Sequence, residues 1–192
     1  MFNEAFKQLK SAAILLIILT LVTGVIYPLA VTGIAQLFFP WKANGSLIKQ
    51  ENKVVGSLLI GQLFEAPQYF WGRPSATMPY PYNALNSSGS NLGPSNPAFF
   101  NAVNARVARL HENDPTNERL IPVDLVTASG SGLDPEISLL AALYQVPRVA
   151  RARNKSETDI EALINRLVKN RTMLVLGEPR INVLELNLAL DK

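Results

Sequence analysis

The chain has 192 residues, of which 48% are hydrophobic and 17% are charged, and its formal net charge is +3. The 18 Lys and Arg residues are scattered among 15 Asp and Glu residues, which argues against nucleic-acid binding. Because the sequence has no cysteine and one histidine, it excludes a disulfide framework, a thiolate metal site and a thiol nucleophile. The sequence therefore offers no self-sufficient catalytic apparatus.

The first predicted element is a membrane-spanning helix at residues 12–35, after a short N-terminal tail at residues 1–11. No residue from Ser11 to Trp41 is charged, and about 20 apolar helical residues cross the roughly 30 Å hydrocarbon layer of a bilayer. A cleaved signal peptide is the alternative, but its apolar part usually has only about 7 to 15 residues. The sequence thus predicts a single-pass protein in a lipid bilayer, whose orientation the flanking lysines leave open.

One face of this helix is predicted to contact another membrane helix. Thr20, Gly24, Pro28 and Thr32 recur at a spacing of four, and small residues let membrane helices approach closely. The alternative, that Thr and Gly are simply tolerated in lipid, stays open. Proline lacks a backbone N–H, so Pro28 is expected to kink or end the regular helix.

The rest of the chain is predicted to be a linker at residues 36–53 and a single soluble mixed α/β domain at residues 54–192. Its pattern of apolar residues predicts strands at 54–64, 120–128 and 182–188, and helices at 97–110, 136–145 and 156–168. The 136–145 helix is expected to halt or kink near Pro147, with a second helical stretch through Arg153. Residues 73–97 are rich in Pro, Gly, Ser and Asn, and the aromatic residues among them indicate an ordered loop.

Three helix starts are indicated by residues that can cap the first turn. Asn96 stands before a proline, and Ser156 stands three residues before an acidic residue. Asp134 and Pro135 are predicted to supply the cap and first turn of the helix that follows.

The small residues that precede Asp134 are a candidate anion site. This run consists of Ser129, Gly130, Ser131 and Gly132. If a helix starts directly after it, its backbone N–H groups lie near the positive end of that helix and could hold a phosphate or another anion. The favoured alternative is a tight turn from strand to helix, because the Asp134 carboxylate would repel a phosphate.

Longer motifs give a more specific indication. They are Gly61-Gln62, Tyr-Phe-Trp-Gly-Arg-Pro-Ser at 69–75, Ser-Asn-Leu-Gly-Pro at 90–94, and Val-Asp-Leu-Val-Thr-Ala-Ser-Gly-Ser-Gly-Leu-Asp-Pro at 123–135. In this order they resemble the C subunit of the Kdp potassium-transporting ATPase, from the N-terminal helix to the last predicted strand. The family ending Asp-Pro-His-Ile is Asp-Pro-Glu-Ile at 134–137 here, so no role of a histidine carries over.

The resemblance implies an accessory, non-catalytic subunit of a high-affinity, ATP-driven potassium uptake pump in the bacterial inner membrane. It implies two partners, a channel-like potassium-binding subunit and a P-type ATPase subunit that hydrolyses ATP. K⁺ would be the transported ion, and ATP would be used through the hydrolysing partner. The implied orientation has a cytoplasmic N-terminus and an extracytoplasmic domain. The phosphorylation motif Asp-Lys-Thr-Gly of P-type ATPases is absent from this chain.

Two mechanisms follow from the resemblance. The chain could act as a catalytic chaperone that raises the ATP affinity of its partner, with Ser129, Gly130, Ser131 and Gly132 contacting nucleotide. It could instead be an outer-face cap that assembles the complex and tunes K⁺ entry, which is favoured because an extracytoplasmic domain cannot easily reach cytoplasmic ATP. Predicted partner contacts are the helix stripe at 20–32 together with Phe70, Trp71 and Arg73. A membrane-anchored extracytoplasmic binding protein unrelated to a pump is the alternative function.

Overall fold

A computed structural model describes residues 2–192 and divides the chain into two units, Met1–Leu47 and Ile48–Lys192. The first unit contains helix α1 (Phe2–Leu21), a π-helical turn (Val22–Ile26), helix α2 (Tyr27–Phe38) and the short helix α3 (Pro40–Ala43). The 34 residues of Ala5–Phe38 are long and apolar enough to cross a membrane, and no other helix of the described chain is. The predicted N-terminal apolar helix is therefore confirmed.

Pro28 does not end the helix, because the π-helical turn comes directly before it. Tyr27 N–H donates to the carbonyl of Val22, five residues earlier, and regular α-helix resumes at Tyr27. A single wide turn of this kind lets the helix accommodate a residue that cannot donate a backbone hydrogen bond. The side chains of the predicted stripe are exposed in the described chain, so their contact with a partner helix stays a prediction.

The second unit mixes short strands with longer helices, as predicted for an α/β domain. Strands β1 (Leu47–Gln50) and β2 (Lys53–Ser57) pair with each other, and β3 (Glu136–Ser138) pairs antiparallel with β4 (Arg180–Asn182). The helices are α4 (Pro97–Asn113), α5 (Leu139–Arg153), α6 (Glu157–Leu167) and α7 (Val183–Leu190), with a 3₁₀ turn at Val123–Leu125. The residues predicted to be a linker hold the end of α2, all of α3 and strand β1.

Two helices begin where the capping residues predicted. The Asn96 side chain accepts from the N–H of Ala98 at 2.9 Å, and the Ser156 hydroxyl accepts from the N–H of Asp159 at 3.1 Å. On α6 the buried residues are Ile160, Leu163 and Ile164, at the spacing that the amphipathic pattern predicted.

The helix predicted to start at residue 136 starts three residues later. Residues 136–138 pair with β4, and the Ser138 hydroxyl caps α5 by accepting from the N–H of Ala141 at 3.0 Å. Asp134 instead caps a local turn, since its Oδ1 accepts from the N–H of Glu136 at 3.0 Å. Pro147 lies inside α5, which runs on to Arg153, so the helix is not halted there, and a kink at Pro147 stays a prediction.

The predicted strands are mostly wrong. Of the first, at 54–64, only residues 54–57 lie in a strand, as part of β2, and the second contains only the 3₁₀ turn. The third, at 182–188, is helix α7, which buries Val183, Leu184, Leu186, Asn187 and Leu190. A short helix that is buried on most of its surface carries apolar residues at positions that also alternate, so period-two spacing over a few residues cannot distinguish it from a strand.

The core is formed by α5, α6, α7 and β3 with the segment around Phe70. Its fully buried side chains include Phe70, Ile137, Val146, Val149, Ile164, Ile181 and Leu186. This core fixes the position of the aromatic segment at residues 69–73.

Candidate functional site

Two buried amide side chains hold the backbone of the aromatic segment. Asn187 accepts from the N–H of Phe70 at 2.8 Å and donates to its carbonyl at 3.0 Å. Gln145 does the same for Trp71, accepting at 2.8 Å and donating at 3.1 Å. Side chains of α7 and α5 thus replace a neighbouring β-strand, which satisfies backbone groups that would be costly to bury unpaired.

Two guanidinium groups lie over the ring of Trp71. Arg148 is 4.2 Å from the ring centroid and Arg109 is 4.7 Å from it, within the range of cation–π attraction. Arg148 also donates to Gln145 Oε1 at 2.7 Å and to the carbonyl of Tyr69 at 3.0 Å. Burial lowers the pKa of Arg148 to about 10, with the charge of a nearby aspartate opposing the shift. Phe70 is fully buried and Trp71 is 8% exposed, so both side chains belong to the core of this chain, and their contact with a partner stays a prediction.

Arg73 ties the aromatic segment to the residues after the candidate anion turn. Its Nη1 donates to Asp134 at 3.0 Å, while its buried Nε has no hydrogen-bond partner among the residues that the structure describes. The hydroxyl of Tyr82 donates to the carbonyl of Arg73 at 2.6 Å. Burial raises the pKa of Tyr82 to about 12. The negative charge of Asp134 adds to this shift, and the positive charge of Arg73 opposes it.

The turn at 129–132 is closed by internal hydrogen bonds. The Ser129 hydroxyl accepts from the N–H of Gly132 at 2.9 Å, and Ser75 donates to the carbonyl of Gly132 at 2.7 Å. The carbonyl of Ser131 accepts from the backbone N–H of Ser88 at 3.0 Å. Gly132 has φ +68°, and a Cβ there would lie 2.6 Å from the carbonyl oxygen of Ser88. Close packing against the loop at 75–88 therefore requires glycine at this position.

No helix begins directly after this turn, because strand β3 lies between it and α5. The expectation that a helix dipole assists anion binding there is therefore wrong. Gly130 is exposed, and a Cβ there would meet nothing within 4 Å. Contact with nucleotide through Ser129, Gly130, Ser131 or Gly132 stays a prediction. The helix N-terminus on which that prediction was based does not lie next to the turn.

A cavity of about 240 Å³ lies between the aromatic segment and helix α4. Its charged lining includes Arg73, Arg106, Arg109 and Glu65. Arg109 pairs with Glu65 at 2.9 Å, and Arg106 donates to the carbonyl of Val126 at 2.8 Å. Among the described residues, no group of three or more His, Cys, Asp or Glu side chains could hold a metal ion.

The sequence motif at 69–75 singled out the aromatic segment, but the two residues that hold its backbone, Gln145 and Asn187, were missed. Gln145 and Asn187 are polar residues inside predicted regular elements, where a surface position is the ordinary expectation. Only their isolation among apolar residues, in Ala-Leu-Tyr-Gln-Val and Leu-Glu-Leu-Asn-Leu, could have marked them as buried.

Comparison with known proteins gives a consistent result over almost the whole chain. Residues 9–192 match the family described as KdpC: K⁺-transporting ATPase, c chain. A protein of Methylococcus capsulatus is 59% identical over 185 residues, which cover 96% of this chain and 97% of the relative. A protein of Janthinobacterium is 57% identical over 183 residues, which cover 95% of this chain and 97% of the relative. A third, from Herpetosiphon aurantiacus, is 58% identical over 183 residues and 95% of each chain.

All three relatives carry the name potassium-transporting ATPase KdpC subunit. The match extends from the apolar helix through the buried aromatic segment to α7 and leaves no part of the α/β domain outside it. It favours a pump subunit over an unrelated anchored binding protein. This chain belongs to the KdpC family, the c chain of the K⁺-transporting ATPase.

Proposed function

We propose that this chain is a non-catalytic accessory subunit that assembles and stabilises an ATP-driven K⁺ uptake pump. Its partners in the proposal are a channel-like potassium-binding subunit and a P-type ATPase subunit. Family membership is the observation that carries the proposal, since the relatives are named as subunits of a potassium-transporting ATPase. The long apolar helix at Ala5–Phe38 would place the chain in the same membrane as these partners.

The packing of the domain supports an assembly role. The aromatic segment is fixed at two successive backbone positions by Gln145 and Asn187, and Arg148 fixes the Trp71 ring. The 129–132 turn is likewise held by the loop at 75–88. Such a rigid body suits a surface on which other subunits dock without rearrangement.

Direct assistance to ATP binding is the second mechanism. It would use the turn at 129–132, whose exposed Gly130 has free space around its Cα. Most other polar groups of that turn already have partners inside the domain, as the bonds to Ser75 and Ser88 show. The outer-face assembly role is therefore the favoured one.

The proposed assembly role is tested by removing the chain from cells and restoring it on a plasmid. We expect the wild-type chain to restore an intact membrane complex, measured on a native gel, together with K⁺-dependent ATP hydrolysis. A complex that assembles and hydrolyses ATP equally well without the chain would contradict the proposal. The Gly130→Val variant separates the two mechanisms, because a Cβ at this exposed position meets nothing within 4 Å. An increase in the ATP concentration needed for half-maximal hydrolysis would favour nucleotide assistance, and an unchanged value would favour assembly.

The proposal includes a cytoplasmic N-terminus and an extracytoplasmic domain in the bacterial inner membrane. The chain has no cysteine, so a single Leu120→Cys substitution provides a unique label on a side chain that is 94% exposed. A maleimide that cannot cross the inner membrane should label this residue in intact cells. Labelling only after the inner membrane is broken would place the domain on the cytoplasmic side.

A further inference from the structure

An exposed apolar hairpin extends from the domain at residues 169–180. Lys169 and Arg180 exchange backbone hydrogen bonds of 2.8 and 3.0 Å, and Thr172 and Leu176 exchange two of 2.9 Å. The tip carries four consecutive apolar side chains. These are Met173, Leu174, Val175 and Leu176, which are 81%, 85%, 72% and 58% exposed. A run of exposed apolar residues of this length is unusual on a soluble surface unless it has a function.

The tip holds these side chains outward in an unfavourable backbone conformation. Met173 has φ 53° and Leu174 has φ 68°, and the N–H of Val175 donates to the carbonyl of Thr172 at 3.3 Å. Gly adopts positive φ without a steric penalty, and Asn adopts it more readily than other residues with a side chain. Bulky side chains there cost free energy, and their exposure shows that contacts inside the domain do not offset the cost.

The charged residues around the tip are paired within the domain. Arg171 contacts both carboxylate oxygens of Glu178 at 2.7 Å. Lys169 pairs with Glu185 at 2.9 Å, and Arg180 pairs with Glu136 at 2.8 Å. The hairpin therefore presents an apolar tip on a stem of compensated charges. Each of its three cations is paired with a carboxylate, and it has no Trp or Tyr side chain of the kind typical of segments that bind lipid surfaces.

The size of the tip restricts what it can bind. Four side chains offer on the order of a few hundred Å², whereas a stable protein interface buries roughly 800 Å² on each partner. The tip alone cannot sustain a complex or a symmetric dimer. It can strengthen a complex that is already held together, and a membrane helix does this by keeping the chain at high effective concentration beside other membrane subunits.

We propose that the apolar hairpin tip inserts into an apolar pocket on another subunit of the pump, on the side of the membrane where the domain lies. This rests on the proposed function, because the pocket belongs to a membrane partner in the same complex. The paired charges of the stem match a neutral, polar rim around that pocket. The strained turn sets the shape of the tip before binding, so little freedom is lost on docking.

Photo-cross-linking in native membranes identifies what the tip contacts. The photoreactive substitution Leu174→p-benzoylphenylalanine is introduced into the full-length tagged chain, and the matched control is the same substitution at Leu120, which is 94% exposed. We expect a cross-link from position 174 to another pump subunit, with at least about tenfold less product from position 120. Cross-links only to lipid, or no cross-link in a complex that co-purifies normally, would overturn the proposal.

A second variant removes the apolar tip without harming the fold. Met173→Asn combined with Leu174→Gly places the preferred residues in the turn, so the domain should be at least as resistant to urea as the wild-type domain. We expect about tenfold or greater loss of partner subunits from the purified complex, and no loss for the control Leu120→Asn. If the wild-type chain recovers no partner, the proposed function fails as well. If the wild-type chain recovers partners and the variant retains them equally, only the tip proposal fails.

Discussion

Two apolar regions of this domain differ in burial: one is part of the core and the other is exposed. The aromatic segment around Phe70 and Trp71 lies in a stretch rich in Pro, Gly and Ser, yet both side chains are buried. The hairpin tip at 173–176 lies in an ordinary surface connection, yet its four apolar side chains are exposed. Gln145 and Asn187, from α5 and α7, bind the backbone of the first region, whereas the backbone hydrogen bonds of the tip join residues of the hairpin itself. Contacts with distant elements of the domain, more than residue type, distinguish the buried apolar segment from the exposed one.

The strongest test of this comparison is the buried amide that holds Trp71. Gln145→Met keeps the volume but removes the partners of the Trp71 N–H and carbonyl and one of the acceptors of Arg148. We expect a loss of about 3 to 5 kcal/mol in unfolding free energy, because each buried polar group left unpaired costs about 1 to 3 kcal/mol. The measurement is urea unfolding of the full chain in detergent. Unfolding is monitored by the fluorescence of Trp71 in a chain that also carries Trp41→Phe, so that Trp71 is its only tryptophan.

The matched control for this change is Gln50→Met, at an exposed position of β1. It should shift the unfolding midpoint very little. Equal effects of the two substitutions would mean that the Gln145 amide does not hold the aromatic segment.

A smaller loss of stability is expected from a change in the 129–132 turn, which packs against the loop at 75–88. Gly132→Ala places a Cβ 2.5 Å from Thr77 Cγ2 at φ +68°, and should cost about 2 to 3 kcal/mol of stability. Gly130→Ala, two residues away, meets nothing within 4 Å and should leave stability nearly unchanged. Thermal unfolding of both variants checks this contrast, and similar melting temperatures would show that the turn is not fixed by the 75–88 loop.

The half-buried Tyr82 gives the stability of the aromatic region a dependence on alkaline pH. Its pKa is raised from 10.0 to about 12 in the folded chain, so the unfolded chain loses this proton first as the pH rises. The contribution of Tyr82 is complete below pH 10 and is lost progressively toward pH 12. Urea unfolding at about pH 9 and about pH 11 should show a smaller loss for Tyr82→Phe than for the wild type. Identical losses would mean that Tyr82 ionises normally.

The smallest effect, of opposite sign, is expected at the hairpin tip. Leu174→Gly removes a side chain that is 85% exposed from a residue at φ 68°. The stability of the domain should stay unchanged or rise by up to about 1 kcal/mol. A clear loss in urea unfolding would show that Leu174 packs within the domain, and the contrast between the two regions would disappear.

The sequence predicted features that depend on local chemistry. The apolar helix, the caps at Asn96 and Ser156 and the buried face of α6 all follow from spacing within one element. The helix at 183–190 was missed because its burial comes from contacts with distant elements, such as the bonds between Asn187 and Phe70. Strand β3 was missed for the same reason, since it pairs with residues more than 40 positions later. Partners far along the chain leave no periodic signal in a short segment.

The candidate site likewise combines residues that the sequence indicated with contacts that only the folded chain reveals. The motif residues Phe70, Trp71 and Arg73 stood out in the sequence, but the guanidinium groups that contact the Trp71 ring come from α4 and α5. The hairpin tip was not predicted, although four apolar residues in succession before a glycine could have marked it. Its significance depends on exposure, which is a property of the folded chain.

Affinity purification of the tagged full chain from native membranes tests the central claim most directly. The intact complex, extracted in mild detergent, is weighed by mass spectrometry and assayed for ATP hydrolysis with and without K⁺. An accessory pump subunit should recover a P-type ATPase subunit and a channel-like subunit, with hydrolysis that K⁺ stimulates. Recovery of a stable chain alone, with no partner and no ATP hydrolysis, would contradict the account.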